Sequence, residues 1–371
     1  MNFKDIIFSN IYRNIPAFGL DISDSSIKIA QLEKKGKRFK LRNFNRFTLP
    51  AGIVEEGEIK DEKKLIEKLK ESISGVKGEK IKTKYAVCSL PEQHAFVKVI
   101  NFPKMTTEEI KRAIKWEAEA NIPFSLDEVY LTWQIVSPWQ NSSHVDVLVN
   151  AVPKKLVDKY LEVLRAANIE PVVFEVESVA TARSLIGGGK VAKPVLIIDL
   201  GFDRTSFIIF SGDSIRFTNS TSMVSNKSML EDLAQKLNID FKKAQSLKFK
   251  IGLEKTEEEQ EIFNALLPSL TKLVEKIKEC ISFHQEHADK DAGCTGVNEI
   301  ILCGGGANLK GFSEYLTSRL KIPVAIGNPW INIFSNKNNK HDFKKLPPIP
   351  YEESLAYSTV LGLALRGAQL K

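Results

Sequence analysis

Two segments of the sequence place an aspartate at the end of an apolar run and follow it with a tight turn and hydroxyl residues. They are residues 18–30, FGLDISDSSIKIA, and residues 196–208, LIIDLGFDRTSFI. Backbone N–H groups and hydroxyls at such turns suit phosphate oxygens, and an aspartate beside them suits hydrated Mg²⁺. The likeness of the two segments predicts an internal duplication, in which two similar lobes present their turns to one ligand.

A third segment, residues 300–312, has a glycine-rich turn and reads IILCGGGANLKGF. A buried strand there leads into three glycines and then a helix. Glycines let the backbone approach a flat ligand closely, and the start of a helix presents free N–H groups. The sequence has no Gly-x-x-x-x-Gly-Lys-Ser/Thr and no dinucleotide-type glycine spacing, which excludes the common phosphate loops.

Strands and helices that would position these turns divide the chain into four parts. The glycines of residues 187–189 predict a linker between two lobes. Residues 96–170 predict a strand-helix-strand-strand module inserted into the first lobe. The predicted boundaries are 1–95 for the first-lobe core, completed by 171–190 and 353–371; 96–170 for the inserted module; 191–222 for the second-lobe core, completed by 293–352; and 223–292 for a helical subdomain.

Composition sets the broad class of the protein. The chain has 371 residues, of which 43% are hydrophobic and 27% charged, with a net charge of +7. These values are typical of a globular protein with at least two domains, and they exclude a disordered chain. No apolar run is long enough to cross a bilayer, and the first 18 residues do not resemble a secretory signal, so we expect a cytoplasmic protein. The basic residues 34–42 predict a hairpin that either is solvated or meets anionic lipid or an acidic partner, and no nucleic-acid-binding module is recognisable.

Cysteine and histidine spacing gives little sign of a metal site. The four cysteines have irregular spacing without a Cys-x-x-Cys pair, which indicates free thiols. His284 and His287 are three residues apart on a predicted helix. They could share a metal ion, or they could lie on a solvated face of that helix.

In their order along the chain, the three turns resemble those of the actin-like ATPase superfamily. Residues 104–124, KMTTEEIKRAIKWEAEANIPF, and residues 362–367, GLALRG, resemble the PilM family of type IV pilus assembly proteins. The resemblance extends from Phe18 to Gly367. It implies an α/β fold of the actin-like, ribonuclease H-like type with two lobes.

The resemblance also implies a site for ATP and Mg²⁺ between the lobes. Asp21 and Asp199 would hold Mg²⁺ through water. Residues from the two turns would contact the β- and γ-phosphates, and the glycine-rich turn would flank the adenosine. The implied phosphate contacts are Ser25, Ser26 and Lys28 from the first lobe and Gly201 and Thr205 from the second; the implied adenosine contacts are Gly304, Gly305, Gly306, Ala307 and, near the ribose and base, Lys248.

At three places the sequence departs from the family pattern. Ser23 stands where the first turn usually has glycine, so we expect an adjusted turn if the position requires a positive φ. Asp203 in the second turn would repel phosphate unless Arg204 offsets its charge. Gln245 replaces a glutamate that the family uses for the ribose, and it leaves a neutral hydrogen-bonding group.

Hydrolysis requires a group that orients water towards the γ-phosphate. Glu175 and Glu177 lie near the first connecting helix. Nothing in the sequence assigns either of them this role, and both could be structural carboxylates. We therefore expect slow or undetectable turnover, with the nucleotide acting as a conformational ligand between the lobes.

By resemblance, the function would be that of a cytoplasmic ATP-binding scaffold of the pilus inner-membrane platform, recruited to the inner face of the membrane. It would dock the cytoplasmic tail of a PilN-like membrane protein and neighbouring platform components, through the inserted module and the adjoining first lobe. Ile122, Pro123 and Phe124 either border that surface or are buried for structural reasons.

Two alternative functions use the same core. One is an FtsA-like division protein that polymerises at the membrane, which we expect to end in an amphipathic helix rather than in residues 369–371, QLK. The other is a sugar-kinase-type phosphotransferase, which would need a catalytic aspartate over a substrate hydroxyl. The sequence shows no such constellation.

Overall fold

The computed structural model describes residues 15–36, 38–136, 144–250, 252–253, 257–287, 296–334 and 348–370. The first 14 residues and the side chain of His287 lie outside this description. His284 is 8% exposed, so a solvated position is wrong for this residue. Within the described residues, no group of three or more histidine, cysteine or acidic side chains forms a metal cluster.

The elements of the first half of the chain belong to the first lobe and the inserted module. In chain order they are β1 (Phe18–Ile22), β2 (Ser26–Lys35), β3 (Arg38–Thr48), β4 (Val54–Glu55), β5 (Glu58–Ile59), α1 (Glu62–Ser74), β6 (Lys77–Gly78), β7 (Tyr85–Leu90), β8 (Phe96–Pro103), α2 (Thr107–Asn121), β9 (Val129–Val136), β10 (His144–Pro153), α3 (Lys154–Ala166), β11 (Glu170–Val176) and α4 (Glu177–Leu185).

The second half forms the second lobe and ends with a helix that packs on the first. Its elements are β12 (Val191–Leu200), β13 (Thr205–Gly212), β14 (Ser214–Thr221), α5 (Asn226–Leu237), α6 (Phe241–Lys250), α7 (Glu257–His287), β15 (Glu299–Cys303), α8 (Phe312–Leu320), β16 (Val324–Ile326), α9 (Ile331–Phe334), α10 (Tyr351–Ser354) and α11 (Ser358–Gly367). Among the described helices, none combines the length and the apolar character needed to cross a membrane.

The two lobes share one strand order, as a duplication requires. In the first sheet the order is β11-β7-β1-β2-β3-β6, and in the second it begins β16-β15-β12-β13-β14. In each lobe the strand that ends in the aspartate pairs in antiparallel fashion with the next strand and in parallel fashion with a later one. Both aspartates therefore lie at the carboxyl ends of central strands, where ligands of open α/β sheets bind.

The inserted module extends the sheet of the second lobe. Its strands follow in the order β14-β8-β10-β9, and the junction is a pairing of Phe217 with Lys98. Beside this junction Arg216 of β14 forms an ion pair with Asp146 of β10, and both side chains are largely buried. The module is thus attached to both lobes: its chain enters and leaves through the first, and its sheet continues from the second.

Two helices, α4 and α11, pack against each other beneath the space between the lobes. A Cβ on Gly362 would lie 1.8 Å from the carbonyl oxygen of Ala180, so glycine is required for this close approach. One helical turn away, the hydroxyls of Thr181 and Thr359 are 2.9 Å apart. These contacts fix α4 and α11 relative to each other at the base of the cleft that the two turns border.

Candidate functional site

The two aspartate turns and the glycine-rich turn meet at one cleft between the lobes. The cleft encloses a cavity of about 200 Å³ within a wider opening of about 1090 Å³ that reaches solvent. Ten of the residues expected at a nucleotide site line it. They are Asp21, Ser23, Ser25, Ser26 and Lys28 from the first lobe, and Asp199, Gly201, Gln245, Gly304 and Gly305 from the second.

Four of the expected site residues lie behind the cleft wall in this structure. Thr205 is fully buried, and its hydroxyl donates to the carbonyl oxygen of Val224 at 2.6 Å. Gly306 and Ala307 are buried in a short 3₁₀ turn. Lys248 is 2% exposed and contacts Asn226 instead of the cleft.

The first turn closes without the strain considered for Ser23. Described non-glycine residues with a positive φ occur at four other positions, and Ser23 is not one of them. Its backbone N–H donates to the carbonyl oxygen of Ser26 at 2.9 Å, and its hydroxyl accepts from the backbone N–H of Ser26 at 3.2 Å. The serine side chain therefore closes the turn that a glycine would close by its conformation.

Three carboxyl groups approach one another at the floor of the cleft. The pKa of Asp199 is raised to about 6, chiefly by burial, while the charge of Lys28 opposes this rise and the charge of Asp21 adds to it. Burial also raises the pKa of Glu177 well above its usual value, and the charges of Asp21, Glu92 and Asp199 add to this rise. Repulsion within such a cluster is relieved by a cation, and carboxylate oxygens are the ligands that Mg²⁺ prefers. Asp21 and Asp199 therefore suit a magnesium ion that they would contact through water, since the described acidic side chains do not gather into a group of three that could hold a metal directly.

The glycine-rich turn touches this cluster directly. Gly304 has a φ of 82°, and a Cβ at this position would lie 2.4 Å from Oδ1 of Asp199. Any side chain there would displace the carboxyl group and the strand end that carries it. This glycine lets the third turn reach the side of the cleft on which Asp199 lies.

Two arginines also line the cleft, and of these only Arg204 was considered from the sequence. Arg46 of β3 lines it beside Lys28, its partner in the pairing of β2 with β3. Arg204 lines it from the second turn, and its charge opposes the rise in the pKa of Asp24 that burial and Asp203 produce. Arg204 is therefore placed to offset the negative charge of Asp203. The alternation of β3, which turns every second side chain to one face, was the signal that could have found Arg46.

The two glutamates considered for catalysis lie in different places. Glu177, the first residue of α4, lines the cleft, and its Oε2 accepts from the backbone N–H of Glu92 at 3.3 Å. Glu175 lies outside the cleft and accepts from Nη2 of Arg183 at 2.8 Å. Of the pair, Glu177 is the carboxyl group within reach of a ligand.

A second groove lies between the inserted module and the first lobe, with a cavity of about 200 Å³. Strands β9 and β10 form one wall, and β11, α4 and α11 form the other. Asn150 lines it, and its Oδ1 is buried without a hydrogen-bond partner in the described part of the chain. Arg183 and Arg366 supply positive charge at the other wall, where both approach Glu175. An enclosed acceptor opposite two cations suits a polar peptide segment.

A protein-family match extends along nearly the whole chain. Residues 19–368 match the family described as type IV pilus assembly protein PilM. The chain belongs to the PilM family. A solved PilM-PilN type IV pilus biogenesis complex contains a chain that is 26% identical, with a TM-score of 0.75 over 96% of this chain and 99% of that one.

More distant structures share the fold of this PilM family member. MreB 5 of Spiroplasma citri, solved with AMPPNP, is 16% identical with a TM-score of 0.54 over 95% of this chain and 96% of that one. The ethanolamine utilization protein EutJ from Carboxydothermus hydrogenoformans is also 16% identical, with a TM-score of 0.53 over 98% of this chain and 94% of that one. The predicted actin-like α/β fold is confirmed. The division-protein and sugar-kinase alternatives are not favoured by these matches.

The three residues considered for partner binding lie away from the groove. Ile122 is 5% exposed and packs in the core of the inserted module. Phe124 is 39% exposed, and Pro123 is exposed beside it. None of the three lines the groove between the module and the first lobe. Of the two roles considered for these residues, burial for structural reasons applies to Ile122.

Proposed function

We propose that this PilM family member is a cytoplasmic scaffold of the type IV pilus assembly platform, recruited to the inner face of the membrane by the cytoplasmic tail of a PilN-like protein. The observation that carries the proposal is the family match over residues 19–368. The groove between the module and the first lobe supports it. An extended tail there would satisfy the Oδ1 of Asn150.

We further propose that the cleft binds ATP with Mg²⁺. Asp21 and Asp199 hold the hydrated metal, which neutralises charge on the phosphates. The turn at Ser23–Ser26 and Gly201 contact the phosphates, and Lys28, Arg46 and Arg204 balance the remaining negative charge. Gln245, Gly304 and Gly305 border the adenosine side.

The nucleotide acts mainly as a conformational ligand, with slow turnover. Glu177 is the carboxyl group best placed to orient water, but burial and the charges of Asp21 and Glu92 raise its pKa and so favour the protonated form. A protonated carboxyl group is a poor acceptor of a proton from water. The lobes share the cleft and both contact the module, so a ligand that closes the cleft can alter the groove.

The test is a titration of the purified protein with a labelled peptide of the PilN-like tail, with and without ATP and Mg²⁺, followed by fluorescence anisotropy. Binding is expected in at least one state. Asn150→Leu should weaken it by about tenfold or more, because an enclosed hydrogen bond is lost. Asn264→Leu, on an exposed face of α7, is the matched control. Absence of binding in both states would reject the scaffold function.

A further inference from the structure

Asn226 begins α5 at the wall of the cleft and is attached to the second aspartate turn. The hydroxyl of Ser225 caps the helix by accepting from the backbone N–H of Ser228 at 3.1 Å. The backbone N–H of Asn226 donates to the carbonyl oxygen of Gly201 at 3.0 Å, and that of the next residue donates to Phe202 at 2.8 Å. The position of Asn226 is therefore fixed relative to the turn that follows Asp199.

The orientation of the Asn226 side chain is set by a buried lysine. Lys248 of α6 donates from Nζ to Oδ1 of Asn226, and the same Nζ lies 3.6 Å from Sδ of Met229. Because Nζ of Lys248 is the donor in this contact, the carbonyl oxygen of the amide faces the lysine. The NH₂ group of Asn226 consequently faces away from Lys248.

This NH₂ group is a nearly buried donor on the cleft side. Asn226 is 7% exposed and lines the cleft, and its NH₂ is not among the buried polar atoms of the described residues that lack a partner, so it reaches the solvent in the cleft. In the free cleft water can accept from this donor, and a ligand that displaces the water must supply an acceptor in its place. The group is neutral, in contrast to Lys28, Arg46 and Arg204 elsewhere in the cleft, so it suits a hydroxyl oxygen better than a phosphate.

We propose that Asn226 contacts the nucleotide by donating from its NH₂ group to a ribose hydroxyl oxygen, and that Lys248 is the positioning residue that fixes this amide. The proposal rests on the proposed nucleotide-binding function of the cleft. Gln245 lies three residues before Lys248 on α6 and lines the same cleft. Of these two α6 side chains, Gln245 lines the cleft directly, whereas Lys248 affects the cleft by orienting Asn226.

The experiment compares the affinities of ATP, 2′-deoxy-ATP and 3′-deoxy-ATP, each with Mg²⁺, by isothermal titration calorimetry. The wild type should bind one deoxy analogue about tenfold more weakly than ATP, because that analogue leaves the amide unpaired. The double variant Asn226→Leu with Lys248→Met replaces both partners by apolar side chains, and its discrimination should fall to about twofold or less. Lys248→Met alone should give an intermediate value, since the amide is then free to rotate.

Lys243→Met, an exposed lysine on the same helix, is the control and should keep the full discrimination. Thermal unfolding by circular dichroism shows which variants are folded. A wild type that binds all three nucleotides equally would overturn the role of Asn226 and leave the proposed function intact. Full discrimination in either the double variant or Lys248→Met would also overturn it. A wild type that binds no ATP would reject the proposed function itself.

Discussion

Nζ of Lys28 lies 2.8 Å from Oδ2 of Asp21, and the two side chains are only 13% and 4% exposed. The other carboxylate oxygen of Asp21 accepts from the hydroxyl of Ser89 at 2.9 Å. The aspartate of the first turn therefore has a partner on each oxygen before any ligand binds. A hydrated metal held by Asp21 would compete with Lys28 for this carboxylate, and the displaced lysine could then contact a phosphate.

Loss of Lys28 should lower the free energy of unfolding of the ligand-free protein. Lys28→Met leaves Asp21 charged and nearly buried, and removal of one partner of such a pair costs about 3–5 kcal/mol in the free energy of unfolding. Urea unfolding at pH 7.5 measures the change. Lys60→Met removes an exposed partner of Glu58 and is the matched control, which should leave the free energy of unfolding nearly unchanged. Equal changes for the two variants would contradict the account of the cleft floor.

The raised pKa of Asp199 makes stability depend on pH in a definite direction. The folded protein holds a proton on this residue up to a pKa of about 6, whereas the unfolded chain loses it near the usual value of 3.8. The folded state thus binds more protons between these values, and the stability contributed here falls as pH rises through this range. Above pH 6 Asp199 is ionised in the folded protein, and its buried charge then lowers the free energy of unfolding by the full amount.

Asp199→Asn removes this titration. The variant should melt a few degrees higher than the wild type at pH 7.5, and the difference should shrink towards zero near pH 4. Differential scanning calorimetry across this range measures it. Added Mg²⁺ should raise the melting temperature of the wild type at pH 7.5 and leave the variant unchanged. A variant that melts lower than the wild type at pH 7.5 would disprove the cost assigned to Asp199.

Gly304 and Gly305 provide a matched pair of substitutions. Gly304→Ala forces a Cβ to within 2.4 Å of Oδ1 of Asp199 at a φ of 82°, whereas a Cβ on Gly305 would first meet the Cβ of Ala356 at 3.9 Å. We expect Gly304→Ala to lower the free energy of unfolding by about 2 kcal/mol or more and Gly305→Ala to change it by less than about 1 kcal/mol. Chemical denaturation of both variants gives the comparison, and a tolerated alanine at Gly304 would show that the turn relaxes.

The local elements around the site were predictable from the sequence. Alternating apolar residues with an aspartate and turn residues at one end predicted the strand pairs that carry Asp21 and Asp199, and both form. Within the inserted module, Thr106 caps α2 with Glu109 as its reciprocal partner, and the helix ends at Asn121. Each of these features depends on residues close together in the chain, so short-range patterns suffice.

Side-chain positions that depend on distant segments were not predictable. Lys248 was expected at the ligand, but it lies behind Asn226, because the packing of α6 against α5 decides which side chain faces the cleft. The sequence did not distinguish Glu177 from Glu175, although the direction of α4 places only the first of them in the cleft. The continuation of the second-lobe sheet into the module also depends on a pairing, Phe217 with Lys98, that no local pattern encodes.

The affinity for ATP, measured by calorimetry with Mg²⁺ and again with the metal chelated, tests the central claim most directly. The wild type should bind ATP more tightly with Mg²⁺, and Asp21→Asn should lower that affinity by about tenfold or more and remove the effect of the metal. Asp127→Asn, at an exposed carboxylate of the inserted module, should behave as the wild type. Equal affinities of the wild type and Asp21→Asn for ATP with Mg²⁺, or no binding by the wild type, would contradict a nucleotide site built from the two aspartate turns.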